Sequence, residues 1–469
     1  MIGLSHLNDQ DNFDDGEMLG GQVERIVRIV AVQIARGLLA PEQRLPSIRK
    51  MAVAEGVSRD TVQRAYDKLV AGGHVHARQG AGFYVAFPVP PVAARHAPAP
   101  VDLESYQLVY SQHPLDRSPG SGVLRHEDGA KQEASRVLRK VVLTGHGSSG
   151  YGDPEGYLPL REELSNKLRM EGVDAPAESI MTVPGCVAGL CIVVRTMVRP
   201  NNIVLVENPS SYVHVMALMS QGADIRRVPR EADGPDLDVL RLLCERYRPA
   251  MFVLSSVLQN PTGSSMALHK ARKLIELAAE FEMILVDDAS YADLQPAASG
   301  RPVVPLIALD PSDRVIHIGG SSNVLSPELG VGHIVAGPKL MRSLRLFRPV
   351  HGLGNLLIQE RVLYRFLHEG LYRRRCERIR AQLAQGAITV RRSLADAGIA
   401  VAPISGGMFM WVDLGKGLDS LDVARRMLAK GYLTAPAKHF CPPDTASSLM
   451  RFNVTTTTPS AIQALSGSL

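Results

Sequence analysis

The stretch that decides the fold of this chain is RVIHIGGSSNVLSPELGVGHIVAG, residues 314–337. An apolar run at 315–318 enters a Gly/Ser turn at 319–322, and a second apolar run follows at 333–335. This pattern predicts two short strands joined by a polar loop. Polar residues directly after a strand are candidates for a binding site, because ligands of α/β sheets bind at the carboxyl ends of the strands.

Short apolar strands recur along the chain from about residue 140, with helical segments between them. Their spacing is typical of a βα succession, which predicts an α/β fold with a mainly parallel sheet covered by helices. The strands that we predict lie at 203–206, 251–254, 283–286, 315–318 and 333–335.

Polar residues after two of these strands form a candidate ligand site. Residues 259–263, QNPTG, follow the second strand, and Asp287, Asp288 and Tyr291 follow the third. A buried carboxylate needs a cationic or hydrogen-bond-donating partner. Asn260, Asp287, Asp288 and Tyr291 are therefore candidates at this point, and the family resemblance described below selects Asn260, Tyr291 and Asp288, with Asp287 as the alternative to Asp288. The structural alternatives are a turn-forming Asn-Pro pair and a surface pair of aspartates.

The composition is typical of a globular protein with more than one domain. The chain has 469 residues, of which 45% are hydrophobic and 21% are charged. We find no signal peptide and no apolar run of about 18 residues, so we expect no membrane role. The five cysteines are odd in number and widely spaced. This favours a reducing cytoplasm, without a disulfide framework or a metal site.

The charge distribution indicates a polyanion-binding unit near the amino terminus. Residues 1–20 carry five acidic residues and no Lys or Arg, and residues 21–85 carry ten Lys or Arg against five Asp or Glu. We expect a disordered acidic leader at 1–20, followed by a small basic unit. An ordinary solvated surface is the alternative for the basic residues.

Residues 21–86 have the pattern of a helix-turn-helix unit with a wing. Apolar residues between Val23 and Ile34 follow a helical period. Ser47 can cap a second helix at 48–55, and Ser58 can cap a third helix after a short turn. Two short strands at 74–78 and 81–86, around Gln79-Gly80, complete the unit as a β-hairpin. The first turn of the third helix would face the major groove of DNA.

The segment RLPSIRKMAVAEGVSRDTVQRAYDKL, residues 44–69, followed by ARQGAGFYV, residues 77–85, resembles the GntR-type winged helix. The resemblance covers nearly the whole unit. The structural alternative for its polar residues is a solvated helix face, or only a cap in the case of Ser58. The contacts with double-stranded DNA that the resemblance implies come from Arg44, Arg49, Ser58, Arg59, Thr61, Gln63, Gln79 and Gly80.

Residues 314–337 resemble the segment G-S-x-S-K-x-L-x-P-G-L-R-x-G of fold-type I pyridoxal-phosphate aminotransferases. Asn323 stands where that family has the lysine that forms an imine with the cofactor, and Gly330 stands where it has a phosphate-binding arginine. Only an amine can form the imine. We therefore expect that pyridoxal phosphate, the cofactor that the resemblance implies, is not held covalently, or that no cofactor is bound.

The same resemblance implies roles for the other candidates. Asn260 and Tyr291 would contact the hydroxyl of a pyridine ring, Asp288 would pair with the ring nitrogen, and Arg451 would bind a carboxylate with two guanidinium N–H groups. Tyr212, or Ser211 beside it, stands at the ring-stacking position. The remaining cofactor- or effector-binding candidates are Tyr151, Gly185 and Cys186 near the phosphate, and Ser321 and Asn323.

A GntR-type winged helix followed by an aminotransferase-like domain is the architecture of MocR-type regulators, and the resemblance covers roughly residues 20–460. It implies a cytoplasmic bacterial transcription factor that acts as a homodimer. The expected organisation is a leader at 1–20, a winged helix at 21–86, a Pro/Ala-rich linker at 87–103, a fold-type I transferase-like large domain at 104–395 and a small C-terminal α+β subdomain at 396–469.

Three functions are compatible with the sequence. The first is a DNA-binding regulator whose large domain binds a small carboxylate or amino-acid-like effector noncovalently. The second is the same regulator with the large domain as a ligand-free dimer scaffold. The third, of a different class, is an active aminotransferase, which the amide of Asn323 disfavours.

Overall fold

The structure is a computed structural model of the chain, and its described residues form two compact units, one within 1–100 and one within 101–469. The predicted leader and linker lie outside the described residues, as do Gln79 and Tyr151. The described residues are 21–35, 39, 43–78, 80–86, 113–126, 128–143, 153–296, 303–348, 357–401, 406–415, 417–442 and 447–469.

The first unit is a winged helix-turn-helix, which confirms the prediction. The two strands pair antiparallel, with Val75 opposite Val85. Ser47 and Ser58 accept the backbone N–H groups of Lys50 and Thr61 at 3.3 and 3.0 Å, so each starts a helix. The elements are α1 (Gln22–Ala35), α2 (Ile48–Glu55), α3 (Arg59–Ala71), β1 (Val75–Arg78) and β2 (Gly82–Val85).

The core of this unit lies between α1, α3 and the hairpin. Tyr66 is fully buried, donates its hydroxyl to the carbonyl of Pro46 at 2.9 Å and packs edge-on against Phe83. Burial raises the pKa of Tyr66 to about 12, so the ring is neutral at physiological pH. Its buried apolar neighbours include Ile26, Val30, Leu45, Val62, Ala65 and Leu69.

The second unit is built on an eight-stranded, mainly parallel sheet with the strand order β3-β10-β9-β8-β7-β4-β5-β6. Strands β5, β4, β7, β8 and β9 run parallel, whereas β10 is antiparallel to both of its neighbours, β3 and β9. The strands are β3 (Ile180–Val183), β4 (Ile203–Asn208), β5 (Asp224–Glu231), β6 (Gly234–Pro235), β7 (Met251–Leu254), β8 (Ile284–Asp288), β9 (Val315–Gly320) and β10 (Gly332–Val335).

Helices cover both faces of this sheet. The apolar faces of the helices and the strands form the buried clusters around Val193 and Leu274. This arrangement confirms the predicted fold class. The helices are α4 (Asp128–Leu143), α5 (Leu158–Met170), α6 (Cys186–Met197), α7 (Tyr212–Met219), α8 (Leu237–Tyr247), α9 (Leu268–Glu280), α10 (Pro338–Phe347), α11 (Leu357–His368) and α12 (Leu371–Asp396).

The C-terminal residues form a second, three-stranded antiparallel sheet with the order β11-β13-β12. Arg451 lies in the middle strand, opposite Trp411 on one side and Ala435 on the other. The elements of this part are β11 (Phe409–Asp413), α13 (Ser420–Ala429), β12 (Ala435–Pro436), β13 (Leu449–Asn453) and α14 (Pro459–Ser466).

Residues 113–125, which we call the cover segment, are the first described residues of the second unit. They nevertheless bond to its C-terminal part: the N–H of Gly120 donates to the carbonyl of Leu433 at 3.0 Å, and the N–H of Asn453 donates to Pro119 at 2.7 Å. The beginning and the end of this unit therefore form one structural layer.

In the described ranges, no helix is both long enough and apolar enough to cross a membrane.

Candidate functional site

A cavity of about 440 Å³ lies between the carboxyl edge of the large sheet and the C-terminal sheet. Asn260, Asp288 and Tyr291 come to it from the large sheet, and Arg451 comes from β13. Tyr212 and Cys186 also line it, at the starts of α7 and α6. Its further lining residues include His113, Leu115, Gly120, Val123, Leu190, Ser290, Leu433 and Phe440.

Asp288, the last residue of β8, is the acidic group of the cavity. Its Oδ2 lies 2.8 Å from Nε2 of His214, and its Oδ1 accepts the N–H of Ser290 at 3.0 Å and the Ser290 hydroxyl. Burial raises the pKa of Asp288, but the hydrogen bonds and charge of His214 and the bonds from Ser290 outweigh burial, so the net pKa is lowered. The carboxylate is therefore negatively charged at neutral pH.

Asp287, the alternative to Asp288, has a different environment. Its side chain is fully buried and accepts the N–H and the hydroxyl of Ser256 at 2.9 and 2.7 Å. The side chains of neighbouring strand residues point to opposite faces of a sheet. Asp287 consequently faces the packed interior, whereas Asp288 lines the cavity.

Asn260 is positioned by a tight turn after β7. Gln259 accepts the N–H and the hydroxyl of Thr262 at 3.1 and 2.7 Å, which closes the turn. Gly263 has φ +68°, and a Cβ there would lie 2.6 Å from the carbonyl oxygen of Phe409. Only glycine allows both this conformation and this approach to the C-terminal sheet.

Arg451 is a buried cation that links the two walls of the cavity. It is 6% exposed, its Nη1 donates to Oδ1 of Asn260 at 2.8 Å, and its Nη2 donates to the carbonyl of Gly120 at 2.6 Å. The guanidinium also lies over the rings of Phe409 and Phe440, at 4.5 and 4.9 Å from their centroids.

Arg451 lacks a carboxylate partner among the residues that the structure describes. Burial lowers the pKa of Arg451 to about 10, and the nearby Tyr291 and Tyr212 oppose this only in part. Its Nε is buried and has no hydrogen-bond partner in the described part of the chain. A buried guanidinium usually has an anion nearby. A carboxylate bound in the cavity could therefore serve as the anionic partner of Arg451.

Tyr291 lies next to this arginine and stacks edge-on against Phe409, with 5.1 Å between the ring centroids. Burial raises the pKa of Tyr291 above its usual range, which the charge of Arg451 partly opposes. Its hydroxyl is therefore a neutral donor and acceptor in the cavity.

The start of α6 offers little support for an anion. Gly185 has φ +89° and precedes the helix without lining the cavity, while Cys186 and the apolar Val187 do line it. Burial raises the pKa of the Cys186 thiol to about 12, so it is neutral. A Cβ at Gly320 would lie 2.5 Å from its Sγ, which shows how closely the sulfur packs against β9.

Asn323 and Ser321 do not line the cavity, unlike most of the other candidates. Asn323 donates its Nδ2 to the carbonyl of Ser290 at 3.0 Å. Ser321 is 2% exposed, and its hydroxyl both donates to the carbonyl and accepts the N–H of Val331, at 3.1 and 3.0 Å. Both side chains thus stabilise the loop itself.

Gly330 stands across this loop from Ser322. A Cβ at position 330 would lie 2.1 Å from the hydroxyl oxygen and 2.8 Å from the Cβ of Ser322. Ser322 therefore occupies the space that the Cβ of a larger residue at position 330 would require.

The predicted DNA-binding residues that the structure describes lie on or beside α2 and α3 and at the hairpin. Arg49, Ser58 and Arg59 are exposed. Thr61 shares a 2.8 Å hydrogen bond with Ser58, and Gln63 donates to Asp67 at 2.9 Å. These two bonds are therefore compatible with the structural alternatives as well, which are a helix cap for Ser58 and a solvated helix face for Gln63.

The wing contributes two further candidates. Arg44 is exposed and bridges to Tyr84, and its side chain lies against Gly82. Gly80 is exposed at φ +74°, a conformation that favours glycine. Gly80 therefore exposes backbone at this end of the hairpin.

Sequence reasoning missed the residues that hold the site together. His214 and Ser290 position Asp288, and Asn453 fixes the cover segment with its side-chain amide. His214 lies on α7, the helix that begins at the predicted Tyr212. Predicting a helix that starts at Tyr212 could have indicated that His214 faces the sheet. No pattern in the sequence indicates the cover segment.

Two family models match the chain: "Bacterial regulatory proteins, gntR family" over residues 22–85, and "Aminotransferase class I and II" over residues 120–469. Among curated proteins, the probable rhizopine catabolism regulatory protein MocR of Rhizobium meliloti is 30% identical, over 78% of this chain and 76% of that protein. The HTH-type pyridoxine biosynthesis transcriptional regulator PdxR of Corynebacterium glutamicum is also 30% identical, over 82% and 81% of the two chains.

A solved structure with the same fold is the multiple substrate aminotransferase of Thermococcus profundus. It aligns with a TM-score of 0.71 and 24% identity over 80% of this chain and 96% of that one. The α-aminoadipate aminotransferase LysN of Thermus thermophilus aligns with a TM-score of 0.68 at 25% identity, over 78% and 93%.

Proposed function

The chain belongs to the MocR-type transcriptional regulators, in which a gntR-family domain precedes an aminotransferase class I and II domain, and we propose that its large unit senses a small carboxylate that it binds noncovalently. The proposed active form is a cytoplasmic homodimer that binds double-stranded DNA through the eight predicted contact residues of the winged helix. The two finer domain boundaries, at 103/104 and 395/396, are part of this proposal.

The observation that carries the ligand proposal is the state of Arg451. Its guanidinium is buried, faces a cavity of about 440 Å³ and lacks an acidic partner in the described residues. A carboxylate can accept two parallel N–H bonds from a guanidinium, which makes it the natural partner. Asp288, on the opposite wall, supports a ligand that also carries a cationic or N–H group, such as an amino acid.

The residues present do not fit covalently held pyridoxal phosphate. Position 323 carries an amide that is engaged with Ser290. The first turn of the neighbouring helix, α6, has a neutral thiol and Val187, and Gly330 provides no cation. Loss of one partner from a desolvated charge pair weakens binding by about 2–5 kcal/mol. We therefore propose a ligand without a phosphate and no transamination.

Calorimetric titration of the full-length protein tests the proposal. The ligands are the twenty standard amino acids, each alone, and the phosphorylated and unphosphorylated vitamers of vitamin B6. We expect saturable heat from at least one amino acid and none from pyridoxal phosphate at equal concentration. Arg451→Gln should abolish the heat, whereas Arg161→Gln, a buried arginine in α5, should leave it unchanged. The absence of binding heat with every ligand would contradict the proposal.

The alternative in which the large unit is a ligand-free dimer scaffold predicts a different result. Arg451→Ala would then leave regulation unchanged, because the bonds of Arg451 to Asn260 and Gly120 and its packing against Phe409 and Phe440 would serve only the fold. The aminotransferase alternative would need visible imine absorption after addition of pyridoxal phosphate, or measurable transamination.

A further inference from the structure

The hairpin of the first unit carries cationic and aromatic side chains on its outer face. Successive residues of a strand point to opposite faces, and residues paired across two strands point to the same face. Val75 and Val85, which pair with each other, belong to the buried core. His76 and Tyr84, the next pair along the hairpin, therefore point away from the core. Their rings are stacked, with 5.9 Å between the centroids.

Arg78 lies on the outer face as well. It pairs with Gly82, two residues along from the pair of His76 and Tyr84. Its guanidinium lies over the ring of Tyr84, 4.5 Å from the centroid. The face of an aromatic ring attracts a cation, and a guanidinium stacked on a ring can bind an anion with the N–H groups at its edge. The ring of Tyr84 therefore orients Arg78.

Arg44 reaches the same face from the stretch of chain before α2. Residue 44 forms an antiparallel bridge with Tyr84, so the side chain of Arg44 also points to the outer face. The backbone N–H of Leu45 donates to the carbonyl of Phe83 at 2.9 Å, which holds this stretch beside β2. Arg44, Tyr84 and His76 thus form one row across three neighbouring segments.

Gly82 allows the two arginines to lie close to the same point. It is the strand partner of Arg78, and a Cβ at this position would lie 3.2 Å from Nε and 3.4 Å from Nη2 of Arg44. Its φ of +110° also favours glycine. Two guanidinium groups therefore lie beside a backbone position that has no side chain. In addition, residues 74–86 contain no Asp or Glu.

We propose that Arg44 and Arg78 form a clamp for one phosphate group of the DNA backbone, and that Tyr84 is the positioning residue that orients Arg78 in this clamp. The inference rests on the proposed DNA binding by the first unit. Guanidinium groups match the geometry of phosphate oxygens and stay charged at physiological pH. Phosphate contacts fix the register of a protein on DNA and carry no sequence information. The clamp would therefore help to set where α3 lies in the major groove, without contributing to the choice of bases.

The test measures the affinity of the full-length protein for DNA by fluorescence anisotropy over a range of salt concentrations. One duplex covers the region upstream of the protein's own reading frame, and a second has an unrelated sequence of equal length. The variants are Arg44→Gln, Arg78→Gln and the double variant. Arg28→Gln, which removes the same charge from an exposed position on α1, is the matched control.

We expect each single variant to lose at least about tenfold in affinity, as loss of a hydrogen bond between charged groups implies. The loss should be equal on both duplexes. In the double variant, the slope of log affinity against log salt should fall by about 1 for each winged helix bound, because one phosphate contact is lost. Arg28→Gln should match the wild type. An unchanged slope in the double variant, or a loss confined to the upstream duplex, would overturn the clamp.

A scan of the upstream duplex shows whether the two arginines share a phosphate. Each phosphate is replaced in turn by an uncharged methylphosphonate. Arg44→Gln and Arg78→Gln should both become insensitive to replacement at the same position of a half-site, a position at which the replacement weakens binding of the wild type. Insensitivity at two different positions would overturn the shared clamp but leave the proposed DNA binding standing. A wild-type protein that binds neither duplex, even at low salt, would overturn both.

Substitutions of Tyr84 separate positioning of Arg78 from folding. The Tyr84 hydroxyl donates to the carbonyl of Ala81 only at 3.4 Å, so Tyr84→Phe, which keeps the ring, should match the wild type. Tyr84→Leu removes the ring under Arg78 and should weaken DNA binding about threefold. In the Arg78→Gln background, Tyr84→Leu should cause no further loss. An equal loss from Tyr84→Leu in both backgrounds would refute the positioning role.

Discussion

At the scale of single residues, the proposal that this chain does not hold pyridoxal phosphate covalently rests on more than Asn323. Its amide donates to Ser290, Ser321 is occupied by Val331, and Gly330 leaves the loop without a cation. In this proposal, the loss of the imine and the loss of the phosphate support are independent of each other. A substitution that restores the imine-forming lysine should therefore not restore the phosphate support.

We therefore predict that Asn323→Lys binds pyridoxal phosphate only weakly. Visible imine absorption should require at least about tenfold excess of cofactor over protein, because a phosphate group that lacks a charged partner loses about 2–5 kcal/mol of binding. A spectrophotometric titration measures this, with the wild-type protein as the control. Stoichiometric imine formation in the single variant would show that the phosphate end is intact and would contradict the prediction.

His333 in β10 gives a prediction about acid stability. It is buried beside His317, and burial, together with the charges of His317 and Lys167, lowers the pKa of His333 to about 3 from 6.5. The unfolded chain binds this proton more readily than the folded one between these two values. Stability due to His333 is thus complete above about pH 6.5 and falls by about 1.4 kcal/mol per pH unit below it.

Urea unfolding of the second unit between pH 7 and pH 5 checks this expectation. His333→Gln should reduce the loss of unfolding free energy on acidification, whereas His269→Gln, whose side chain is 70% exposed, should not. Some acid sensitivity should persist, because burial also lowers the pKa of His126 to about 4. Equal slopes for wild type and His333→Gln would refute the assignment.

At the scale of elements, local signals predicted the helices of the first unit well. The predicted helix at 48–55 matches α2, because Ser47 and Gly56 act on the residues beside them. The direction of β10 could not be predicted, because it depends on pairing with β3, which is distant in the chain. β5 was missed since its sequence, DIRRVPRE, is mostly charged and buries chiefly Val228.

The candidate site shows the same difference between features that the sequence indicates and features that depend on contacts between distant parts of the chain. Asn260, Asp288, Tyr291 and Arg451 could be proposed from the sequence, since each stands at a position to which the family resemblance gives a role. That they line one cavity depends on the fold. The bond between Arg451 and Gly120 joins residues from opposite ends of the unit, and no periodicity or spacing indicates it.

The element that we expect to read DNA is α3, and this can be tested against another helix of the same unit. Arg59→Ala should lower DNA affinity and relax sequence preference by about 1–3 kcal/mol, if its guanidinium contacts a base edge. Arg28→Ala, an exposed arginine on α1, is the matched control. Fluorescence anisotropy over a range of salt concentrations measures both. An equal loss in the two variants would indicate only a diffuse electrostatic effect.

At the scale of the whole molecule, the chain joins a basic unit that resembles a DNA reader to a larger unit with a ligand cavity. The first unit has its own buried core around Tyr66, and the second has several. Each should therefore fold without the other. What the second unit adds to DNA binding would then be dimerisation and control by the ligand.

This argument predicts how a shortened chain behaves. A fragment of residues 1–100 should fold and bind the upstream duplex, but at least about a hundredfold more weakly than the full chain, because two linked winged helices bind with a high effective concentration. Sedimentation should show a monomer for the fragment and a dimer for the full chain. Leu69→Ala, which opens a cavity at a fully buried position, is expected to unfold the fragment. Equal DNA affinity of fragment and full chain would mean that the large unit does not pair the readers, and the homodimer proposal would fail.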